Sequence, residues 1–316
     1  MYIPDKMPGK DAIVLSVVVR VVGGGAFLRR CLDHLVRQTE GREVEIIVPY
    51  DSIVRGIAEL ERDFPQVTFV NMGVIKTNGR PVSPGEAHLL YDRRTAQGLA
   101  VARGEIVALL EDYGAPDPDW CTQVLEAHRL PYGVIGGAVE QEAEGILNWA
   151  VYFLDFGRYQ LPLREGPVAY LSDVNVSYKR PVLESVRSLW EDKYNEVTVH
   201  WALARQGGVL WLRPQIVVRQ NRGRLSLPSL IVERFSWGRL FACRRAQEVS
   251  FAARARYILF SPAIPLVLLG RIARRAWGLP HRRAKFLRSF PILACLMLFW
   301  CLGEFVGYVT GREHSR

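Results

Sequence analysis

Apolar runs and amphipathic stretches alternate through the first third of the chain. Residues 12–22 (AIVLSVVVRVV) are β-branched and apolar and end at Gly23-Gly24-Gly25; Phe27, Leu28, Cys31, Leu32, Leu35 and Val36 then recur at helical spacing. A second strand is predicted over Glu45–Val48, ending at Pro49-Tyr50-Asp51, followed by a helix over Ile53–Leu60 and a third strand over Val67–Val70. Ala87–Ala102 carries Leu89, Leu90, Arg93, Arg94 and Leu99 on a helix, and Glu105–Leu110 (EIVALL) reads as a buried strand whose end meets Glu111-Asp112. Strands separated by helices predict an α/β fold with a mostly parallel sheet. Such sheets bind ligands at the carboxyl ends of their strands, where Gly23–Gly25, Asp51 and Glu111-Asp112 all fall.

The last quarter follows a different pattern. Tyr257–Gly270 and Phe290–Gly303 are apolar runs, and Arg271–Arg288 between them holds seven Lys and Arg and no acid. Spanning a bilayer takes about 20 apolar residues. The first run is too short and carries Pro262 and Pro265, so it is expected to be re-entrant or interfacial; the second reaches Gly311 if Glu304 is tolerated. Arg234–Arg256 adds an Arg-rich amphipathic approach of the interfacial kind. The chain therefore divides into an α/β domain over 10–225 and C-terminal hydrophobic membrane-associating helices over 226–316.

Charge sharpens this division. The formal net charge is +9, yet Glu233 to the C-terminus alone holds 15 Lys and Arg against 4 Asp and Glu. Basic residues set between apolar runs suit anionic lipid and place the region on the cytoplasmic face of a membrane; they do not suit nucleic acid. At 316 residues and 49% hydrophobic, the composition excludes a disordered or fibrous chain. Cys31, Cys121, Cys243, Cys295 and Cys301 form no CxxC pair, which argues against a zinc ribbon and for a reducing compartment. No secretory signal is legible in the opening MYIPDKMPGKD. The glycine triplet is a poor dinucleotide loop, because the third glycine of G-x-G-x-x-G would fall on Leu28, so it is read as a tight turn.

The ordered segments SVVVRVVGGGAFLRRCLDHLVRQ, EIIVPYD, ARGEIVALLEDYGAPDPDW, LSDVNVSYKR and NEVTVHWALARQGG resemble a family 2 glycosyltransferase with the GT-A, Rossmann-like fold, of the membrane-associated bacterial type. The resemblance runs from about Ala12 to Arg222, and its most specific element is the acidic pair followed by Pro-x-Pro-x-Trp. It implies an inverting, non-processive hexosyltransferase, moving a sugar from a nucleotide-diphosphate donor, a UDP-sugar above all, to a lipid-linked or polysaccharide acceptor in cell-envelope or exopolysaccharide synthesis. Mg²⁺ or Mn²⁺ is the implied cofactor, since the leaving diphosphate must be neutralised.

Carried onto this sequence, the resemblance makes Asp112 the metal ligand with Glu111 in support, while Tyr113 stands where a third acid is usual. Asp51, Tyr50 and Arg94 would hold the donor. Asp173, Asn175 and Arg180 would face the acceptor. Glu196 is the candidate base that takes the acceptor proton, with Asp192 the second choice, because Val197 occupies the usual place of the second acid. His200, one turn beyond, is a candidate to tune it. Two alternatives stay open: a polyprenyl-phosphate sugar transferase, and a non-catalytic membrane scaffold with a degenerate nucleotide-sugar fold.

Overall fold

The computed structural model describes residues 13–75 and 84–311, so the opening segment read as lacking a signal lies outside the described residues. The elements follow the alternation: β1 (Leu15–Arg20), α1 (Gly25–Thr39), β2 (Val44–Tyr50), α2 (Ile57–Asp63), β3 (Val67–Asn71), α3 (Pro84–Val101) and β4 (Ile106–Glu111). Then come β5 (Gly114–Pro116), α4 (Trp120–Ala127), β6 (Val134–Gln141), α5 (Ile146–Asp155), β7 (Gly166–Val168), β8 (Asn175–Lys179), α6 (Arg180–Glu184), α7 (Glu196–Arg205) and β9 (Leu210–Gln220). Four helices end the described chain: α8 (Leu227–Glu248), α9 (Phe251–Phe260), α10 (Ile264–Trp277) and α11 (Pro280–Thr310).

Among the described residues the strands form one sheet in the order β3-β2-β1-β4-β8-β6-β9-β5, with β7 on β9. β3, β2, β1 and β4 are mutually parallel, and β8 joins β4 antiparallel. Every residue of β1 is buried, as an apolar run without alternation requires of a central parallel strand. Leu28, Cys31, Leu32 and Leu35 of α1 pack with Val17, Val19, Ala108 and Leu110 in the main core. The helix expected over Ile53–Leu60 begins four residues later, at Ile57. Asp51 Oδ1 accepts the Ile53 N–H at 2.9 Å, an Asx turn that competes with helix, and Gly56 before the first turn is left-handed at φ 77°.

Contacts divide the described residues into two units: residues 13–75, 90–140 and 161–220, and residues 84–89, 141–160 and 221–311. In the second, α8 packs along α11. A Cβ on Gly303 would lie 2.1 Å from the Phe235 carbonyl oxygen, and one on Gly307 would lie 2.4 Å from that of Arg239, so the small residues set the approach of the two backbones. The second unit's core joins Trp149, Phe153, Ile272, Phe286, Leu293 and Met297. α9 and α10 are bent by 71° at the Ser261–Ala263 break, consistent with the prolines there. The basic stretch 271–288 between the two apolar runs is helical apart from a break at Gly278-Leu279: Arg, Ala and Leu are strong helix formers, and Pro280 opens α11. α11 is long and apolar enough to span a membrane. Leu259, Phe260, Leu266 and Trp277 are exposed on α9 and α10.

Candidate active site

β1 and β4 end side by side, with Arg20 paired in register to Glu111. A charge closing an otherwise apolar buried strand is costly unless it is paired. Arg20 is fully buried; its Nη1 donates to Asp173 Oδ2 at 2.5 Å, its Nη2 to the Asp173 carbonyl and its Nε to the Leu110 carbonyl at 3.2 Å. Its guanidinium lies 4.5 Å from the centroid of the Tyr91 ring on α3. The Tyr91 hydroxyl donates to Asp173 Oδ2 at 3.1 Å and makes a long contact of 3.5 Å with Glu111 Oε2. One phenol thus joins two carboxylates over one guanidinium.

Electrostatics favour the charged Arg20 guanidinium and the neutral Tyr91 phenol. Burial works against the Arg20 charge, but Asp173, Tyr91 and Glu111 outweigh it and raise its pKa. Burial raises Tyr91 well above the usual phenol value, reinforced by Asp173, Glu111 and Glu196 against the pull of Arg20. Glu196 therefore lies within electrostatic reach of the cluster. It opens α7, where a carboxylate suits the positive end of the helix, and Asn195 caps that helix by accepting the Thr198 N–H at 3.2 Å.

Several expected site residues have other tasks. Asp112 is fully buried: Oδ1 accepts the Val22 and Gly23 N–H groups at 3.1 and 3.2 Å, and Oδ2 accepts the Gly24 N–H at 2.6 Å. Burial raises its pKa, with these N–H groups and Arg94 pulling the other way. Asp112, expected as the metal ligand, thus accepts three N–H groups of the glycine turn, where Gly24 sits at φ 62°. Tyr113, in the place of a third acid, meets Phe27 edge-on at 4.9 Å and covers that turn.

Asp51 and Arg94, expected to hold the donor, bind each other. Asp51 is wholly buried, with Oδ2 2.7 Å from Arg94 Nε and Nη2, and Arg94 Nη1 donates to the Val21 carbonyl at 2.6 Å. The pair ties the ends of β1 and β2. Tyr50 gives its hydroxyl to Glu61 on α2 at 3.1 Å.

On the presumed acceptor side only Asp173 joins the cluster. Asn175 is buried and satisfied: its Oδ1 accepts the Trp120 indole N–H at 2.9 Å, and its Nδ2 donates to the Ala138 and Ile216 carbonyls at 2.8 and 2.9 Å. Arg180 donates to the Gly104 carbonyl at 2.7 Å, beside the start of β4. The length of that strand, about 17 Å at ~3.3 Å per residue, separates it from Glu111. Both residues, expected to face the acceptor, are engaged within the fold. Asp192 is exposed in the turn before α7. His200 is buried and bonds Tyr178 at 2.7 Å; burial lowers its pKa to about 4, so it is a neutral core imidazole.

Arg20 and Tyr91 were not singled out from the sequence. The legible signal for Arg20 was a lone charge at the end of a strand that is apolar on both faces. Among the described residues no three His, Cys, Asp or Glu side chains converge as a metal cluster.

No family model matches this sequence, and no curated protein matches it. Solved structures do. Over 95% of this chain and 90% of theirs, the fold is similar to that of mannosyltransferase PcManGT from Pyrobaculum calidifontis, in complex with GDP-Man and Mn²⁺, at 14% identity and a TM-score of 0.55. S. aureus TarS, residues 1–349, is matched at 12% identity over 95% of this chain and 93% of that one, with a TM-score of 0.45. At such identities the likeness establishes the fold alone: a mixed α/β, GT-A-type architecture with a central, mostly parallel sheet, followed by an apolar C-terminal helix.

Proposed function

We propose that the chain is an inverting, non-processive glycosyltransferase that uses a nucleotide-diphosphate sugar and a lipid-linked or polysaccharide acceptor at a membrane surface. The observation that carries this reading is the convergence of Arg20, Tyr91, Glu111 and Asp173, with Glu196 in electrostatic reach, at the carboxyl ends of β1 and β4 on a GT-A-type fold. A site of charged groups at strand ends suits a polar, doubly charged donor. α11 and the exposed apolar residues of α9 and α10 support membrane association.

In this mechanism Glu196 accepts the proton of the acceptor hydroxyl as that oxygen attacks the anomeric carbon. The bond from that carbon to the diphosphate oxygen breaks on the opposite face, and the nucleoside diphosphate leaves. Asp173 is fixed by Arg20 and Tyr91 and orients a sugar hydroxyl. Asp112 acts through the glycine turn, keeping the Val22–Gly24 backbone in one conformation. Mg²⁺ is commonly held by one or two carboxylates together with substrate phosphates, so Glu111, at the end of β4 in long contact with Tyr91, would hold it here. A divalent cation, when bound, would neutralise the leaving diphosphate. The Mn²⁺ and GDP-Man in the mannosyltransferase complex support a metal and a guanosine donor as one candidate, beside the UDP-sugar expected from the resemblance.

The test is product formation by detergent-purified protein from UDP-, GDP-, CDP- and dTDP-sugars, with polyprenyl phosphate and lipid-linked sugar as separate acceptors. Transfer that disappears in Glu196→Gln supports the reading. Transfer to polyprenyl phosphate alone selects the lipid phosphate as acceptor, and no transfer with any pair returns the chain to the scaffold reading.

A further inference from the structure

Beneath Glu196 lies a buried chain of polar groups that the transfer mechanism does not use. The Tyr178 hydroxyl, in the middle of the sheet on β8, is 2.5 Å from the Tyr194 hydroxyl and 2.7 Å from His200 Nε2. The three side chains are 0%, 1% and 3% exposed, so these two hydrogen bonds have no competition from water. Tyr194 precedes α7 by two residues, and His200 lies on α7 one turn after Glu196. A single phenol oxygen on the sheet therefore grips the two residues that bracket the candidate base on either side. Tyr194 has a further anchor, its N–H donating to the Asp92 carbonyl of α3 at 3.0 Å. The bonding is consistent with a neutral His200, with Tyr194 donating to Tyr178 and Tyr178 donating to Nε2. Asp173 and Glu196 both act electrostatically on Tyr178 and Tyr194, so the two phenols lie within electrostatic reach of both carboxylates.

We propose that Tyr178 is a positioning residue: by clamping Tyr194 and His200 to β8 it fixes the first turn of α7 and so the direction of the Glu196 carboxylate. The proposal rests on Glu196 being the acceptor base. It corrects the expectation that His200 tunes Glu196 directly, since the imidazole is spent on Tyr178. A base must stand within hydrogen-bond reach of the proton it takes, and displacement by about 1 Å is enough to lower turnover on the order of 10²-fold.

The test compares wild type, Tyr178→Phe, which removes both bonds, and Tyr194→Phe, which removes one and keeps the ring. Three quantities are read: kcat, the donor KM, and amide exchange over residues 195–199. The expected result is a fall in kcat on the order of 10- to 100-fold in Tyr178→Phe and a smaller fall in Tyr194→Phe. Donor KM should stay within about twofold, while exchange of the first α7 turn speeds about tenfold. If kcat is unchanged, if KM rises in the same proportion as kcat falls, or if exchange is unchanged in both variants, the clamp does not position the base. Should Tyr178→Phe not fold, Tyr194→Phe decides by the same criteria. A wild type with no turnover fails the transfer reading itself, and is distinct from a working wild type that the variants equal.

Discussion

Two sets of carboxylates crowd the carboxyl ends of β1, β2 and β4, and they have opposite fates. Asp51 and Asp112 are wholly buried and spent, one on Arg94 and an Asx turn, the other on three backbone N–H groups. Glu111, Asp173 and Glu196 keep a partly open face around Tyr91 and Arg20. The first set builds the mouth of the sheet; the second is partly exposed there. The lesson is that an acid beside a loop rich in backbone N–H groups is drawn into that loop. The glycine turn after β1 is a ready set of N–H groups, and Asp112 takes three of them.

The largest effect that separates the sets is on turnover. Glu196→Gln should reduce kcat about 10²- to 10⁴-fold, as loss of general base catalysis does, with the melting temperature nearly unchanged. A comparable loss of melting temperature would move Glu196 into the structural set. Next is Asp51→Ala, which leaves the Arg94 guanidinium buried without its counter-ion and should cost about 3–5 kcal/mol, read by denaturant unfolding. Asp51→Leu with Arg94→Met should recover most of that loss, because replacing a buried pair by apolar groups of similar volume is often neutral. If Asp51→Ala is as stable as wild type, the pair is not structural.

A smaller effect concerns protons. Burial depresses His200 to about 4 and His128 to about 3, from an ordinary 6.5. Between those values the unfolded chain binds protons that the fold refuses. Stability is therefore full above pH 6.5 and falls as the pH drops toward 4, by about 1.4 kcal/mol per pH unit for each imidazole. His128→Gln should flatten that slope by one such increment in unfolding experiments at pH 4 to 7; an unchanged slope would mean His128 titrates normally in the fold. The smallest effect is at Asp192, where Asp192→Asn should leave kcat within about twofold. A large loss there would transfer the role of base from Glu196 to the exposed loop before α7.

The contrast also marks what the sequence could disclose. The alternation up to Glu111 predicted the parallel half of the sheet, because its central strands read as continuous apolar runs between amphipathic helices. The antiparallel half was not legible: β5 and β7 have three residues each, and their partner β9 lies far along the chain. The motif EDYGAPDPDW pointed to the end of β4 but not to which of its acids is buried. Neighbouring residues at a strand end point to opposite sides, so Glu111 reaches Tyr91 while Asp112 turns into the glycine loop. Arg20 and Tyr91 come from β1 and α3, and only the fold brings them together. Asn175 looked like a sugar ligand, yet it joins Trp120 to the carbonyls of Ala138 and Ile216.

The central claim is that a nucleoside diphosphate binds at the open carboxylates. Its most direct test is the melting temperature of wild type and Glu111→Gln with UDP, GDP, CDP or dTDP, each with and without Mn²⁺. Ligand at 100 times its Kd stabilises by about 2.7 kcal/mol, a shift of several degrees. The account predicts such a shift for one nucleotide, dependent on Mn²⁺ and lost in Glu111→Gln, whose own melting temperature matches wild type. No shift with any nucleotide, or an equal shift in Glu111→Gln, would contradict it.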